Sequence, residues 1–257
     1  MTDPDQQTVW HEQNLAEPHA VRDKARRVRA MFNAVAPTYE LVNTLTSFGR
    51  DAYWRRRAVE LSRVTGTDRV LDLACGTGDL ARAFAAARPA PALVVGADFA
   101  GEMIRRAAGT SSPAMRWCQA DALSLPFLNE QFTAVSCAFG VRNLQDLKAG
   151  FREVHRVLSP DGRAVILEFS NPSAKVTRAL FHFYFNRMLP AIATLISRDR
   201  SGAYRYLPRS VLRFASRSQI VNLLREVGFE RIEVHPLTFG IAVVYLAAKA
   251  HIHPVNA

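Results

Sequence analysis

The stretch VLDLACGTGDL, residues 70–80, combines a buried-strand pattern, a glycine-rich turn and the start of a helix. Asp72 lies near the end of the strand, and the turn Gly76-Thr77-Gly78 follows it. Glycines allow a backbone to approach a ligand closely, and a helix start offers free N–H groups. Turn chemistry alone also fits a tight strand-to-helix connection that binds nothing. The spacing differs from GxGxxG, so the stretch favours a ligand other than a dinucleotide.

Strand and helix patterns alternate on the C-terminal side of this stretch. Strands are predicted at 69–74, 92–98, 114–121, 132–139 and 162–170. Helices are predicted at 79–88, 101–108, 147–158 and 216–229, and the turn SPDG (159–162) closes the third of these. This alternation is typical of a parallel sheet with helices on both faces. Residues 231–249 fit a closing hairpin of two strands.

Two acidic residues occur at the ends of later strands. Asp98 ends the second strand, 22 residues after Gly76, where an acid accepts hydrogen bonds from ribose hydroxyls. Phe99 follows it and is suited to pack on a purine face, and Asp121 ends the third strand, where it can accept from an exocyclic amine. Open α/β sheets bind ligands at the carboxyl ends of their strands, so these residues predict a nucleoside site.

Length and composition indicate one decorated domain in a reducing compartment. The chain has 257 residues, of which 49% are apolar, and it lacks a run of about 18 uncharged apolar residues. Its polar N-terminus, MTDPDQQTVWHEQN, lacks an apolar signal core, so we expect a cytoplasmic protein. Cys75, Cys118 and Cys137 form no CxxC pair, which argues against a metal site or a disulfide framework.

The chain is basic, with 33 Lys and Arg against 23 Asp and Glu, a formal net charge of +10. Such a charge fits nucleic acid, an anionic membrane or a plain solvated surface. Two predicted helices hold much of it, and their arginines are Arg26, Arg27, Arg29, Arg55, Arg56 and Arg57.

The chain divides into three predicted parts. Residues 1–20 are expected to be mobile, and residues 21–66 to form an N-terminal helical lid. Residues 67–249 form the main domain, interrupted by an apolar, aromatic insertion at 174–210 that contains Pro190. The insertion suits either a binding site for an apolar tail or a plain hydrophobic cap.

The glycine turn, Asp98 and the pair Asp121-Ala122 resemble, in order and spacing, the class I S-adenosylmethionine-dependent methyltransferases. This resemblance implies a Rossmann-like α/β fold with a seven-stranded, mostly parallel sheet, one antiparallel strand and helices on both faces. It implies S-adenosylmethionine as the cofactor and no metal. The cofactor-binding residues it implies are Asp72, Gly76, Thr77, Gly78, Asp98, Phe99, Asp121, Ala122 and Ala138.

Three further stretches are similar to the ubiquinone/menaquinone biosynthesis C-methyltransferases. They are YELVNTLTSFGRDAYW (39–54), FGVRN (139–143) and RVLSPDGRAVILEFSNP (156–172), and the resemblance spans about 21–249. The chain departs from the family at several points. Asp51 stands where the family has His, a variant associated with the menaquinone branch, and Ala138 replaces a Ser that touches the cofactor in some members.

The resemblance implies that Tyr39, Asn43 and Phe48 form a lid over a prenylated quinol, although these residues also fit simple packing of the N-terminal helix. The substrate must be the reduced quinol, because a quinone carbon is electron-poor. Phenols titrate near pH 10, so we expect Arg142 to favour the phenolate by its charge and Asn143 by a hydrogen bond. Water or a histidine would carry the proton.

Two other functions fit the residues. One is methylation of a different apolar small molecule, such as a sterol or polyketide phenol. The other is a basic nucleic-acid-binding module that keeps the fold without the chemistry. The run of cofactor acids argues against this module, so no nucleic-acid partner is expected. Peripheral contact with the inner face of the membrane and an oligomeric state both stay open.

Overall fold

The computed structural model describes residues 10–110, 114–189 and 202–249. Seven strands lie within these ranges: β1 Arg69–Leu73, β2 Leu93–Asp98, β3 Met115–Gln119, β4 Phe132–Ala138, β5 Leu158–Phe169, β6 Phe229–Leu237 and β7 Ala242–Lys249. The α-helices are α1 Glu12–Ala16, α2 Lys24–Val35, α3 Tyr39–Thr46, α4 Arg50–Ser62, α5 Asp79–Ala85, α6 Gly101–Ala108, α7 Leu147–Val157, α8 Lys175–Phe183, α9 Ala203–Leu212 and α10 Arg217–Glu226. A π-helical turn, Tyr184–Met188, extends α8.

The strands form one sheet in the order β3-β2-β1-β4-β5-β7-β6. Pairing is parallel from β3 through β5, and β7 runs antiparallel to both of its neighbours. The chain passes from β1 through β2 to β3 at one edge of the sheet, then returns to β4 beside β1 and continues towards the other edge. The strand order therefore reverses between β1 and β4. A parallel α/β sheet opens a ligand-binding crevice at such a reversal, outside the carboxyl ends of its strands. The predicted mostly parallel sheet with one antiparallel strand is confirmed.

Helices cover both faces of the sheet, as predicted, because each central strand is apolar on both sides. Leu71 and Leu73 of β1 face α7 and α10 in a cluster that contains Phe151 and Leu224. Val70 faces the other side, where α4 and α5 pack. This alternation along one strand sets α4 and α5 on the face opposite α7 and α10.

The turn predicted at 159–162 is part of β5 instead. β5 begins at Leu158, directly after α7, and its pairing with β4 shifts register between Phe132 and Ala134. The extra residues on β5 are absorbed as an irregularity, with Asp161 at φ +60°. The SPDG sequence therefore makes a bulge in a long strand, because β4 continues to pair with the residues on either side of it.

Residues 10–20, which were expected to be mobile, are packed onto the domain. Trp10 is fully buried and lies 4.3 Å from the Tyr206 ring, centroid to centroid. His19 contacts the Ser210 carbonyl at 2.9 Å. Large aromatic burial outweighs the polar composition of this stretch. The expectation for residues 1–9 lies outside the described residues, as does the part of the predicted insertion at 190–201.

Candidate active site

A cleft opens where the carboxyl ends of β1, β2 and β4 meet. Its lining includes six of the nine predicted cofactor residues: Gly76, Asp98, Phe99, Asp121, Ala122 and Ala138. Gly76 has a φ of +57°, a conformation that glycine adopts without strain. A Cβ added there would point at the Tyr39 ring, 3.6 Å away. The glycine therefore lets the turn and Tyr39 close on the same side of the cleft.

Asp98 is held by backbone amides on both sides of the crevice. One carboxylate oxygen accepts from the Gly76 N–H at 2.9 Å and the other from the Ala100 N–H at 2.8 Å. Burial raises the pKa of Asp98, and these amide hydrogen bonds oppose the rise. A carboxylate has about four acceptor sites, so lone pairs remain for ribose hydroxyls. Asp121 is exposed at the same cleft, and its Oδ1 accepts from the Leu123 N–H at 2.9 Å.

Three predicted cofactor residues do not line the cleft. Asp72 is fully buried, accepts from the Ser136 hydroxyl at 2.7 Å, and has a pKa raised by burial to about 7. Thr77 is buried, and its hydroxyl has no hydrogen-bond partner among the described residues. At Gly78, a Cβ would lie 2.5 Å from the Trp117 ring. These three residues lie on the buried side of the segment from β1 to the start of α5, where they support the turn.

A second, larger cavity lies beside the cleft and has a volume of about 590 Å³. Side chains from α2, α3, α4, α8 and α9 line it, together with the hairpin between β6 and β7. Most of these side chains are apolar or aromatic: Met31, Phe32, Val35, Tyr39, Phe48, Trp54, Phe139, Phe169, Leu180, Phe181, Tyr184, Phe185, Leu189, Ala203, Tyr204, Tyr206, Leu207, Phe239 and Ile241. The predicted substrate residues Tyr39, Asn43 and Phe48 all line this cavity. They precede the glycine turn by about 30 residues or more in the sequence, and the fold brings them beside the cleft.

Both cavities share a wall of three aromatic side chains, Phe32, Tyr39 and Phe139. Phe32 and Tyr39 meet edge to face, with ring centroids 5.9 Å apart. A ligand in the cleft and a ligand in the larger cavity would therefore be neighbours. Burial raises the pKa of the Tyr39 phenol, which stays protonated at neutral pH.

Arg142 lines the larger cavity, but a carboxylate already pairs with it. Its Nη1 donates to Glu168 Oε1 at 2.8 Å and to the Phe139 carbonyl at 2.5 Å, and both side chains of the ion pair are buried. Its guanidinium also lies 5.6 Å from the centre of the Phe169 ring. The Nε is buried and has no hydrogen-bond partner among the described residues. Arg142 is thus a buried cation that Glu168 already neutralises, and its Nε–H is enclosed by protein.

Asn143 lines the smaller cleft, one residue further on. Its Oδ1 accepts from the buried Tyr206 hydroxyl at 3.0 Å, and its Nδ2 donates to the Phe139 carbonyl at 3.4 Å. Burial raises the pKa of Tyr206, so the phenol remains a donor. The 3₁₀ turn Val141–Asn143 places Arg142 and Asn143 on adjacent cavities.

Asp51 is a carboxylate on the wall of the larger cavity, at the start of α4. Its Oδ1 accepts from the Ser47 hydroxyl at 2.7 Å and its Oδ2 from Arg55 Nη1 at 2.5 Å. Burial alone would raise its pKa, but the bonds from Ser47 and Arg55 hold the pKa below its usual value. Arg55 also reaches Asp79 at 3.3 Å. Asp51 is therefore an ionised acceptor facing an apolar space.

The turn that carries Arg142 is anchored from α2. Lys24 is buried, and its Nζ donates to the carbonyls of Arg142 at 2.9 Å and Leu144 at 2.5 Å. Burial, helped by the charge of Arg142, lowers the pKa of Lys24 to about 8. His19 lies 3.3 Å from the same Nζ, and burial followed by the Lys24 charge lowers its pKa to about 4.

Sequence reasoning did not assign roles to Glu168, Tyr206 or Lys24. Glu168 lies in the strand predicted at 162–170. An acid within a buried strand needs a partner, so its presence was a usable signal. Tyr206 and Lys24 carried no such signal, because their partners are 63 and 118 residues away. Asp51 was noted as a departure from the family, but its place on the cavity wall was not foreseen.

Within 10–110, 114–189 and 202–249, no group of three or more His, Cys, Asp or Glu side chains is arranged to hold a metal ion. Every helix in the same ranges is too short or too polar to cross a bilayer.

The fold and the cleft together define a class I S-adenosylmethionine-dependent methyltransferase. A possible histamine N-methyltransferase from Thermotoga maritima has the same fold, with a TM-score of 0.61 and 17% identity over 85% of this chain and 98% of that chain. The cleft suits the cofactor, since two carboxylates, an aromatic ring and an open glycine backbone match a nucleoside with a charged tail.

The chain belongs to the ubiE/COQ5 methyltransferase family, whose profile matches residues 20–249. It is 42% identical over 240 residues to the ubiquinone/menaquinone biosynthesis C-methyltransferase UbiE of Citrifermentans bemidjiense, covering 90% of this chain and all of the relative. It is 44% identical over 222 residues to the demethylmenaquinone methyltransferase of Thermus thermophilus, covering 85% of this chain and all of that relative.

Proposed function

We propose that the protein methylates a ring carbon of a prenylated quinol in menaquinone or ubiquinone biosynthesis, converting demethylmenaquinol to menaquinol. The observation that carries this proposal is the aromatic wall shared by the cofactor cleft and the apolar cavity. A cavity of about 590 Å³ lined by aromatic side chains suits a fused ring and the first part of an apolar tail. Family membership and the names of the relatives support the same reaction.

Residues of the cleft would hold S-adenosylmethionine, which when bound supplies an electrophilic sulfonium methyl group. Asp98 would accept from the ribose hydroxyls and Asp121 from the adenine amine, while Phe99 would pack on the purine. Gly76 would let the backbone approach the ligand. Asp72, Thr77 and Gly78 would support the turn without contact. The reaction needs no metal and no nucleic acid.

The cavity residues would make the quinol ring nucleophilic and hold it in place. A phenol that loses its proton gains electron density at the ortho carbon, and Arg142, which lines the cavity, would stabilise the resulting phenolate. The ion pair with Glu168 would hold the guanidinium in a fixed position beside the ring. Asn143, held by Tyr206, would orient the same turn. Correct approach of the two ligands supplies much of the rate.

Asp51 would accept the phenolic proton or a hydrogen bond from the hydroxyl that carries it. Among the described residues that line the larger cavity, it is the one carboxylate. Its lowered pKa makes it a weak base, so the proton would pass onward to water along the Ser47 side of the cavity. Tyr39, Asn43 and Phe48 would form the lid over the ring.

The protein would act in the cytoplasm, at the inner face of the membrane, where a prenylated quinol resides. To test the reaction, the purified chain is incubated with methyl-labelled S-adenosylmethionine and reduced demethylmenaquinone, and the extracted lipid is examined for label. We expect label in the quinone fraction, lost when reductant is omitted. Cofactor binding without label would refute the substrate, and a reduced ubiquinone precursor or another apolar phenol would then be tried.

A further inference from the structure

Exposed apolar side chains are concentrated around the mouth of the larger cavity. Nine large hydrophobic side chains are exposed among the described residues, and eight of them belong to three segments: Leu41, Leu45, Phe48, Val176, Leu180, Phe183, Met188 and Phe239. The ninth, Leu128, lies near the amino end of β4. Soluble surfaces normally scatter such side chains, so their concentration indicates a contact surface.

The eight residues form two helical stripes and a hairpin tip. Leu41 and Leu45 are one helical turn apart on α3, with Phe48 in the turn just after it, and Val176, Leu180 and Phe183 follow at i, i+4 and i+7 along α8. The stripes meet where Phe48 contacts Tyr184, with ring centroids 5.9 Å apart, and where the Tyr184 hydroxyl donates to the Thr46 carbonyl. Each helix thus turns an apolar row away from the core.

Three members of this rim also line the cavity, namely Phe48, Leu180 and Phe239. Phe48 and Phe239 are 73% and 85% exposed, and both have a left-handed backbone, with φ of +53° and +57°. That conformation is costly for an aromatic residue and persists only where the surroundings impose it. Two strained turns therefore hold large rings in the open at the cavity entrance.

The charged residues of the α8 segment of the rim are all positive, and Glu40, the acid next to Leu41, pairs with Arg82 at 3.2 Å. Residues 175–189 contain Lys175, Arg178 and Arg187 but no Asp or Glu, and all three cations are exposed. Residues 41–49 carry no charge. The arginines of α2 and α4 are less suited to contact an anionic surface, because several of them are already paired with acids. Arg26 pairs with Asp23, Arg55 with Asp51 and Arg57 with Glu60.

We propose that this rim docks on an anionic lipid bilayer and lets the quinol pass between the membrane and the cavity. Aromatic and aliphatic side chains enter the interfacial region while neighbouring lysines and arginines contact headgroups. The proposal rests on the proposed function for the passage of the quinol, whereas the docking itself requires no substrate. A bilayer suits the rim better than a second copy of the chain, because a two-fold contact would set the cations of one face against those of its partner.

The test is co-sedimentation of the full chain with vesicles of phosphatidylcholine, with and without phosphatidylglycerol. We expect binding to the anionic vesicles that weakens with salt. The double variant Val176→Ser, Phe183→Ser removes one exposed isopropyl group and one exposed ring, neither of which lines the cavity, and should bind about tenfold or more weaker. Leu128→Ser is the matched control, since it removes an exposed Leu near the amino end of β4, outside the rim, and should bind like wild type.

Each result decides a separate question. Methyl transfer to a short-tailed quinol in detergent micelles should be equal in wild type and the double variant. Failure of wild type to sediment, or equal sedimentation of the double variant, would overturn the docking surface even if methyl transfer succeeds. A wild-type dimer without lipid that the double variant converts to monomer would assign the rim to a subunit interface instead. Rim-dependent docking without methyl transfer would leave the surface standing and refute the substrate.

Discussion

The cofactor cleft and the apolar cavity share one aromatic wall but are built in different ways. The cleft lies at the ends of three adjacent strands, and its key contact joins Gly76 to Asp98 within one βαβ unit. The cavity is assembled from helices before the sheet, helices after β5 and the hairpin tip. The comparison indicates that the sheet supplies the cleft, whereas elements outside the sheet supply most of the apolar cavity.

The turn Val141–Asn143, which borders both the cavity and the cleft, is held by long-range polar contacts. Arg142 pairs with Glu168 on β5, Asn143 with Tyr206 on α9, and Lys24 on α2 holds the turn between them. Variants of Asp98 should therefore change cofactor binding, whereas variants of this turn should change stability and turnover.

Arg142→Ala should give the largest effect, because it leaves Glu168 buried without its partner. Breaking a buried ion pair costs about 3–5 kcal/mol of unfolding free energy. Urea denaturation measures the loss. The double variant Arg142→Met, Glu168→Gln should recover most of the stability, since Gln still accepts from the Phe169 N–H, yet turnover should stay low. Wild-type stability in Arg142→Ala would show that the pair does not hold the cavity.

Asp98→Ala should weaken S-adenosylmethionine binding about 100-fold, and any loss of turnover should be a consequence of this weaker binding. The substitution removes acceptors for ribose and leaves the Gly76 and Ala100 amides unpaired. Isothermal titration calorimetry gives the dissociation constant, with thermal melting as the control for folding. Unchanged affinity would remove Asp98 from the cofactor site.

Asp51→Asn should lower turnover about tenfold or more without changing cofactor affinity, because an amide accepts a phenolic proton poorly. Its matched control is Asp79→Asn. Asp79 pairs with the same Arg55 but lines neither cavity, so its loss should leave turnover near wild type. Equal losses in both variants would mean that Asp51 acts only by positioning Arg55.

The smallest effect concerns pH and the anchor of the cavity turn. Burial and the Lys24 charge lower the pKa of His19 from 6.5 to about 4, with smaller effects of Arg142 and Glu17 that oppose each other. His19 binds a proton below about pH 6.5 in the unfolded chain but only near pH 4 in the folded chain. The free energy of unfolding is therefore fully retained above pH 6.5 and decreases as the pH falls from 6.5 towards 4. His19→Gln should make the melting temperature less dependent on pH over this interval. An unchanged slope of melting temperature against pH would exclude His19 as the source of the dependence.

Much of the fold and half of the site were predictable from the residues. Apolar strands alternating with helices indicate the sheet, and the acids after β2 and β3 indicate the cleft that Asp98 and Asp121 line. Thr77 and Gly78 do not line the cleft, and a glycine needed to clear Trp117 has the same sequence pattern as one that approaches a ligand. The bulge at 159–162 was hidden because its turn residues also suit a helix end.

The residues of the chain establish a parallel α/β sheet, a nucleoside cleft at its carboxyl edge and an aromatic segment ahead of it. Those features are local, because periodicity and turn chemistry act over a few residues. The tertiary structure alone decides that Arg142 is neutralised by Glu168, that Asp51 lines the apolar cavity, and that Phe48 and Phe239 line the same cavity. These pairings join residues far apart in sequence, and no local pattern specifies which side chains packing will bring together.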